Sequence, residues 1–408
     1  MEFKQTKLSN GLQIVAEINK SAASFALGFF TKTGSRDETP EISGVSHFLE
    51  HMVFKGTSTR SALMVNQESD QMGALINAFT SEENTVYYAS VLPEFQAKCT
   101  DLLCDIMRPS LRQEDFDIEK GVICEEIAMY EDEPHFRLYD NMMQTHFSNH
   151  NLSNSILGTP DSIMNLKRDQ MQAYFDRRYS PTNITVAAVG NFDYDKLIAE
   201  LEEKCSHWKA YETKREYKKP SDQVSTKIIT DPKLARQNLG FISNAPACQD
   251  DQQYAAQLLA TILGDSSSSR FYYSLVENAL ADEASMSFSP MGQAGAFLTF
   301  ISCVPSKTTK VQEIVKTQIA EFLQAGPTEQ EISAAKNKLA SHATIRGEMP
   351  MSRLTPVGLE WVYTGKYTPL ADQIKKLFAV TKSDILQIAN QFRIDKFTTV
   401  ALGPAEKI

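Results

Sequence analysis

The hydrophobic pattern opens on strands. Residues 12–17, Leu12-Gln13-Ile14-Val15-Ala16-Glu17, follow the turn signal Asn10-Gly11, and Phe25-Ala26-Leu27-Gly28-Phe29-Phe30 comes soon after. Both are short apolar runs bounded by turn residues, which predicts strands. The period then changes: Val45, Phe48, Leu49 and Met52 recur at helical spacing, predicting a helix from about residue 43 through 51. Residues 85–91 predict another strand, residues 114–130 a long helix stopped near Pro134, and residues 184–189 a strand ending in Gly190-Asn191.

The two halves of the chain echo each other. Leu27-Gly28-Phe29 returns as Leu239-Gly240-Phe241, Val91 before Leu92-Pro93 finds Val304-Pro305, and Val186-Ala187-Ala188-Val189-Gly190 finds Val400-Ala401-Leu402-Gly403. The spacing between copies is nearly constant, the mark of a duplicated domain. Strands come in groups with helices between them. The expected fold is therefore α+β: two homologous α/β domains, each a mainly antiparallel sheet packed with helices. The stretch from Tyr211 to Pro220 is charged and poor in aliphatics. It reads as the connection, giving an N-terminal domain 1–212, a linker 213–224 and a C-terminal domain 225–408.

Composition narrows the function. At 408 residues the chain is too long for one ordinary core. A net charge of −10 excludes the basic footprint of nucleic-acid binding and argues against an anionic membrane surface. No stretch approaches the ~20 apolar residues that span a bilayer, and residues 1–7 lack the apolar run of a signal peptide. Both point to a cytoplasmic or already processed protein. Six scattered cysteines without a CxxC pair suit reduced thiols, neither a disulfide framework nor a thiolate metal site. Gly264-Asp265-Ser266-Ser267-Ser268-Ser269 lacks the lysine and the glycine spacing of a phosphate-binding loop.

The sharpest chemical signal is His47-Phe48-Leu49-Glu50-His51. Positions four apart on a helix stack on one face, so His47 and His51 can share one metal ion. Glu50 falls beside them, placed as a general base for a water at that metal. A catalytic zinc takes three protein ligands and keeps one position open. The third ligand has candidates in Glu119-Lys120-Gly121-Val122-Ile123-Cys124-Glu125-Glu126. Glu119 and Glu126 are two helical turns apart and share a face, while Glu125 is turned off it. A solvated acidic face is the ordinary alternative for such a helix.

The inverted order HxxEH is the signature of the inverzincins, and the chain resembles these metallopeptidases, the group of pitrilysin, insulin-degrading enzyme and mitochondrial processing peptidase. The resemblance extends through Met52-Val53-Phe54-Lys55-Gly56-Thr57, Gly73-Ala74-Leu75-Ile76-Asn77-Ala78-Phe79-Thr80, the segment from Glu119 to Glu126, Gly158-Thr159-Pro160 and Tyr179-Ser180-Pro181-Thr182-Asn183. It implies one zinc ion per chain held by His47, His51 and Glu126, with Glu50 as general base and Glu119 orienting the site from behind. It also implies that Asn77 and Ala78 lie on an edge strand to which an extended peptide adds as a further strand. The implied activity is a zinc endopeptidase acting on extended or unfolded peptides.

The second half departs from the resemblance. Active relatives carry an arginine and, seven residues later, a tyrosine that reach substrate and oxyanion; aligned on Ser269-Arg270, those positions hold Val276 and Glu283. Valine has no donor, and a carboxylate repels a developing oxyanion. Either a related subunit supplies the pair, in a homodimer or heterodimer, or Arg270, Tyr272 or Tyr273 serve instead. The competing function is a non-catalytic or partner-dependent structural subunit of a heterodimeric peptidase.

Overall fold

A computed structural model describes residues 1–221 and 224–408. The strands are β1 (Glu2–Lys7), β2 (Gln13–Ile18), β3 (Phe25–Thr31), β4 (Leu75–Thr80), β5 (Thr85–Val91), β6 (Ile184–Gly190), β7 (Thr226–Thr230), β8 (Gln237–Asn244), β9 (Glu283–Met291), β10 (Ala294–Cys303) and β11 (Thr398–Gly403). The helices are α1 (Val45–Val53), α2 (Ala62–Met72), α3 (Gln96–Ile106), α4 (Gln113–Glu131), α5 (Pro134–His146), α6 (Pro160–Asn165), α7 (Arg168–Arg178), α8 (Tyr194–Cys205), α9 (Gln253–Gly264), α10 (Thr308–Ala325), α11 (Glu329–Gly347), α12 (Pro350–Thr364), α13 (Leu370–Ala379) and α14 (Lys382–Gln391). Every strand and helix anticipated from the pattern is present, with ends shifted by a residue or two.

The chain forms two units, each built on its own sheet. The first holds residues 1–128, 154–216 and 344–367; the second holds 129–153, 217–343 and 368–408. In the first unit the strand order is β1-β2-β6-β3-β5-β4. Only β2 and β6 run parallel; the other neighbours are antiparallel. Strands β3 and β6 are buried throughout, as their near-continuous apolar sequences require of strands covered on both faces. β4 ends the sheet with a free edge.

The second unit repeats the plan as β7-β11-β8-β10-β9, again with one parallel pair, β7 with β11. The sequence echoes fall on equivalent strands, β3 with β8 and β6 with β11. Gly28 and Gly240 sit at matching places because a helix presses on each. A Cβ at Gly240 would stand 2.3 Å from Met142 Sδ of α5, and one at Gly28 3.1 Å from Leu354 Cδ2 of α12.

Those two helices make the units discontinuous, which the continuous ranges 1–212 and 225–408 did not anticipate. Helix α5 belongs by packing to the second unit, where Leu138, Met142 and Met143 join Ile242, Leu298 and Val400 in one cluster. Helix α12 belongs to the first, where Leu354 and Val357 pack with Phe30, Val86 and Ala187. A buried ion pair fixes it there, Arg353 Nη2 to Glu17 Oε2 at 2.9 Å. Both helices follow a 19-residue helix and begin with proline, so the duplication includes them.

The expected linker 213–224 is not a free connection over its first residues. Tyr211 N–H donates to Ser180 Oγ (2.9 Å), Thr213 Oγ1 donates to Arg177 O (2.8 Å), and Arg215 forks onto Asp37 and Glu83 in the first unit with its side chain only 4% exposed. Of the charges in that stretch Arg215 enters a buried ionic network, while Glu212, Lys214, Glu216, Lys218 and Lys219 are exposed. Residues 222 and 223 of that range lie outside the described residues. All six cysteines are free thiols. Among the described residues no helix is long and apolar enough to cross a membrane.

Candidate metal centre

Helix α1 carries the site because one face is wholly apolar: Val45, Phe48, Leu49, Met52 and Val53 are buried. Gly44 begins the helix at φ 90°, where a Cβ would collide with Leu157 O at 2.6 Å. The first N–H groups are satisfied by the buried Glu38 carboxylate, which accepts from Gly44 N (2.7 Å) and Ser46 N (2.8 Å). Burial pushes Glu38 up to about 7 against those two bonds. The other wall is α4. Phe48 stacks on Phe116 with centroids 4.7 Å apart, joining the two helices. Phe116, Glu119, Ile123 and Ile127 form the buried face of α4, Glu126 is half-buried beside it, and Glu125 is exposed.

This packing brings His47, His51 and Glu126 together, with one donor atom from each all within 4.8 Å of one another. Glu126 Oε2 lies 3.3 Å from His51 Nε2 and 3.6 Å from His47 Nε2. Behind them, Glu119 Oε1 contacts His51 Nδ1 at 2.9 Å, and Lys55 Nζ contacts Glu119 Oε2 at 2.5 Å. The carboxylate orients the ring so that Nε2 faces the other donors. Two imidazoles and a carboxylate converging from two helices are a donor set that suits zinc. His47 Nδ1 is buried without a hydrogen-bond partner among the described residues, and His51 and Glu126 act on the ring electrostatically.

The electrostatics divide the two histidines. Burial and the neighbouring His51 press His47 down to about 4, against the pull of Glu126. At His51 burial opposes protonation, yet Glu119 and Glu126 outweigh it and lift the group to about 9. Glu126 is lowered chiefly by its bond to His51. Burial works against ionisation of Glu119, but His51 and Lys55 together hold it below the usual range. Glu50 is raised, mainly by burial.

Glu50 lies on α1 with Oε2 accepting from Thr80 Oγ1 at 2.6 Å. Thr80 ends β4, an edge strand of the sheet with no partner on its outer side among the described residues. On that strand Asn77 is exposed and Ala78 half-buried. Asn77 Oδ1 accepts from the Ala78 N–H at 2.8 Å, covering a main-chain donor with its own side chain.

The second unit has no such cluster among the described residues. Its helix α9 is apolar and almost wholly buried. Val276 packs against the core there, and Glu283 opens β9 exposed to solvent. Arg270 is committed to Glu331 through two bonds of 2.7 and 3.0 Å and to Gly326 O. Tyr273 is 54% exposed.

Sequence reasoning gave no role to three groups that the structure puts to use. Lys55 and Thr80 stood inside matched segments, and Lys55 falls one helical turn after His51, which was the available signal. Glu38 had none, since its partner N–H groups are reached across a loop.

A duplicated sheet-and-helix fold with an HxxEH helix in its first unit only defines a chain of the inverzincin class. Residues 1–160 match the family described as insulinase (peptidase family M16), and residues 165–339 match the peptidase M16 inactive domain. An uncharacterized zinc protease of Bacillus subtilis is 31% identical, the match covering 99% of this chain and 98% of that protein. One from Streptomyces coelicolor is 30% identical over 98% of this chain and 89% of its own length. The chain belongs to the M16 family. Among solved structures, a protease from Helicobacter pylori superposes with a TM-score of 0.92 at 23% identity, covering 99% of both chains, and an M16 inactive domain from Pseudomonas fluorescens with 0.89 at 18%, covering 99% and 98%. At those identities the likeness speaks for the fold.

Proposed function

We propose that this chain is a zinc-dependent endopeptidase that hydrolyses extended or unfolded peptides. The observation that carries the reading is the convergence of His47, His51 and Glu126 within 4.8 Å, with Glu50 held beside them at the end of a free sheet edge. The zinc protease names of the relatives support the choice of metal.

A zinc ion held by His47, His51 and Glu126 supplies a Lewis acid for the scissile carbonyl and for the attacking water. The substrate main chain pairs with the open edge of β4, displacing the Asn77 side chain from the Ala78 N–H, and lies extended beside α1. Glu50 takes the proton of the water that attacks the carbonyl carbon. It returns that proton to the nitrogen as the C–N bond breaks. Burial raises the Glu50 carboxyl above the usual carboxylate range, which makes it a better base than a free carboxylate.

A second reading is favoured by Val276, Glu283 and the committed Arg270: a partner-dependent subunit that gains an arginine and a tyrosine from a related chain. One experiment addresses both. Zinc content and peptide hydrolysis are measured on the purified chain and on Glu50→Gln. About one zinc per chain, with turnover reduced at least ~100-fold by Glu50→Gln, supports a self-sufficient peptidase. Zinc without turnover favours the partner-dependent subunit. Absence of tight zinc binding ends the metallopeptidase reading.

A further inference from the structure

We infer that Thr80 is a positioning residue for Glu50: its hydroxyl engages one carboxylate oxygen, fixes the plane of the group and leaves the other oxygen free to take a proton. The inference rests on the peptidase reading above. Three observations carry it. Thr80 Oγ1 donates to Glu50 Oε2 at 2.6 Å, a short charge-assisted bond. Oε1 accepts from no described residue, and it is not among the buried atoms that lack a partner, so it remains reachable by water. The hydroxyls of Tyr87 and Tyr179, which feel the charge of Glu50, are turned on each other at 2.8 Å and give Glu50 no bond. Without Thr80 the carboxylate would be free to rotate about its last torsion, which is broad for a glutamate.

The placement of Thr80 gives the bond a second consequence. Side chains alternate along a strand, so Ile76, Ala78 and Thr80 share the face of β4 that packs on α1, while Leu75, Asn77 and Phe79 point the other way. Thr80 is also the last pair of the hairpin, opposite Thr85, closed by Ser81 N–H to Asn84 O at 2.8 Å. The base is therefore keyed to the strand proposed to receive the peptide, at its hairpin end. The bond holds the base in register with the substrate main chain.

The test compares Thr80→Val, which removes the hydroxyl at nearly constant shape and keeps strand preference, with Thr80→Ser, which keeps the hydroxyl. Wild type and Glu50→Gln are run beside them. Expected for Thr80→Val are a kcat reduced by about 10- to 100-fold, KM within twofold and unchanged zinc content. Thr80→Ser is expected within about threefold of wild type. Crystal structures of zinc-loaded wild type and Thr80→Val supply a readout that needs no turnover: the Glu50 carboxylate should be turned or split between orientations in the variant only. The inference is overturned by an unchanged kcat in Thr80→Val, by equal losses in Val and Ser, or by an identical Glu50 carboxylate in both crystals. Full activity in Glu50→Gln would instead remove Glu50 as the general base, while absence of zinc binding and turnover in wild type would remove the peptidase reading; the crystal comparison would still judge the Thr80 bond.

Discussion

At the scale of single residues, the site is a sequence of charges each held by the next. Glu119 has a side chain only 3% exposed, and Lys55 is what neutralises it on the side away from His51. Removing one partner of a buried pair leaves an uncompensated charge. Lys55→Met is expected to weaken zinc binding by about 10- to 100-fold, the usual cost of losing a group behind a metal ligand, as read by chelator competition. Unchanged affinity would show that Lys55 merely covers the site. Glu38 offers a pH test. Its carboxyl rises from 4.5 to about 7 in the folded chain, so between those values the native state binds the extra proton. Its contribution to stability is greatest below pH 4.5 and falls as pH rises through about 7. Wild type should lose about 2 kcal/mol relative to Glu38→Gln between pH 5 and 8 in urea unfolding. A constant difference would mean that Glu38 does not titrate in that range.

At the scale of elements, β4 is where the chain meets its proposed substrate. Proline is tolerated on an edge strand but removes a donor. Ala78→Pro should therefore raise KM for peptides about 10-fold while leaving zinc content and the unfolding temperature nearly unchanged; an unaltered KM would take peptide pairing away from this edge. The elements themselves were well written in the sequence. The HxxEH helix, the strand at 85–91 and the long helix with Glu119 and Glu126 on one face were all legible from period and spacing. What was not legible arises where contacts reverse the meaning of a local pattern. The polar run from Tyr211 to Pro220 looks solvated, yet Arg215 is buried because Asp37 and Glu83 wait for it in loops distant in sequence. Helix α12 belongs to the first sheet because Arg353 finds Glu17 there, a pairing that no periodicity encodes. Thr80 was invisible as a partner of Glu50 because sheet register and helix packing, rather than spacing, bring them together.

At the scale of the whole molecule, the duplication has diverged in chemistry while keeping its plan. The first unit holds the donors; the equivalent helix of the second, α9, has given its face to the core. The second unit would then contribute to catalysis only through groups that reach substrate, and the two positions expected to do so are ill suited. Val276 is drawn towards the apolar cluster, and Glu283 brings negative charge. Arg270 cannot easily replace them, since leaving Glu331 would strand a partly buried carboxylate that also caps Thr328 N–H at 2.7 Å. The consequence is quantitative. Loss of one oxyanion donor costs about 10²- to 10³-fold in kcat, so the isolated chain should bind zinc fully yet turn peptides over slowly. Addition of a related M16 chain that carries the arginine and tyrosine should raise kcat at least ~10-fold, and sedimentation of the mixture should show a complex. Full turnover by the isolated chain at concentrations where it sediments as a monomer would exclude the need for a partner and assign the oxyanion contacts to residues of this chain.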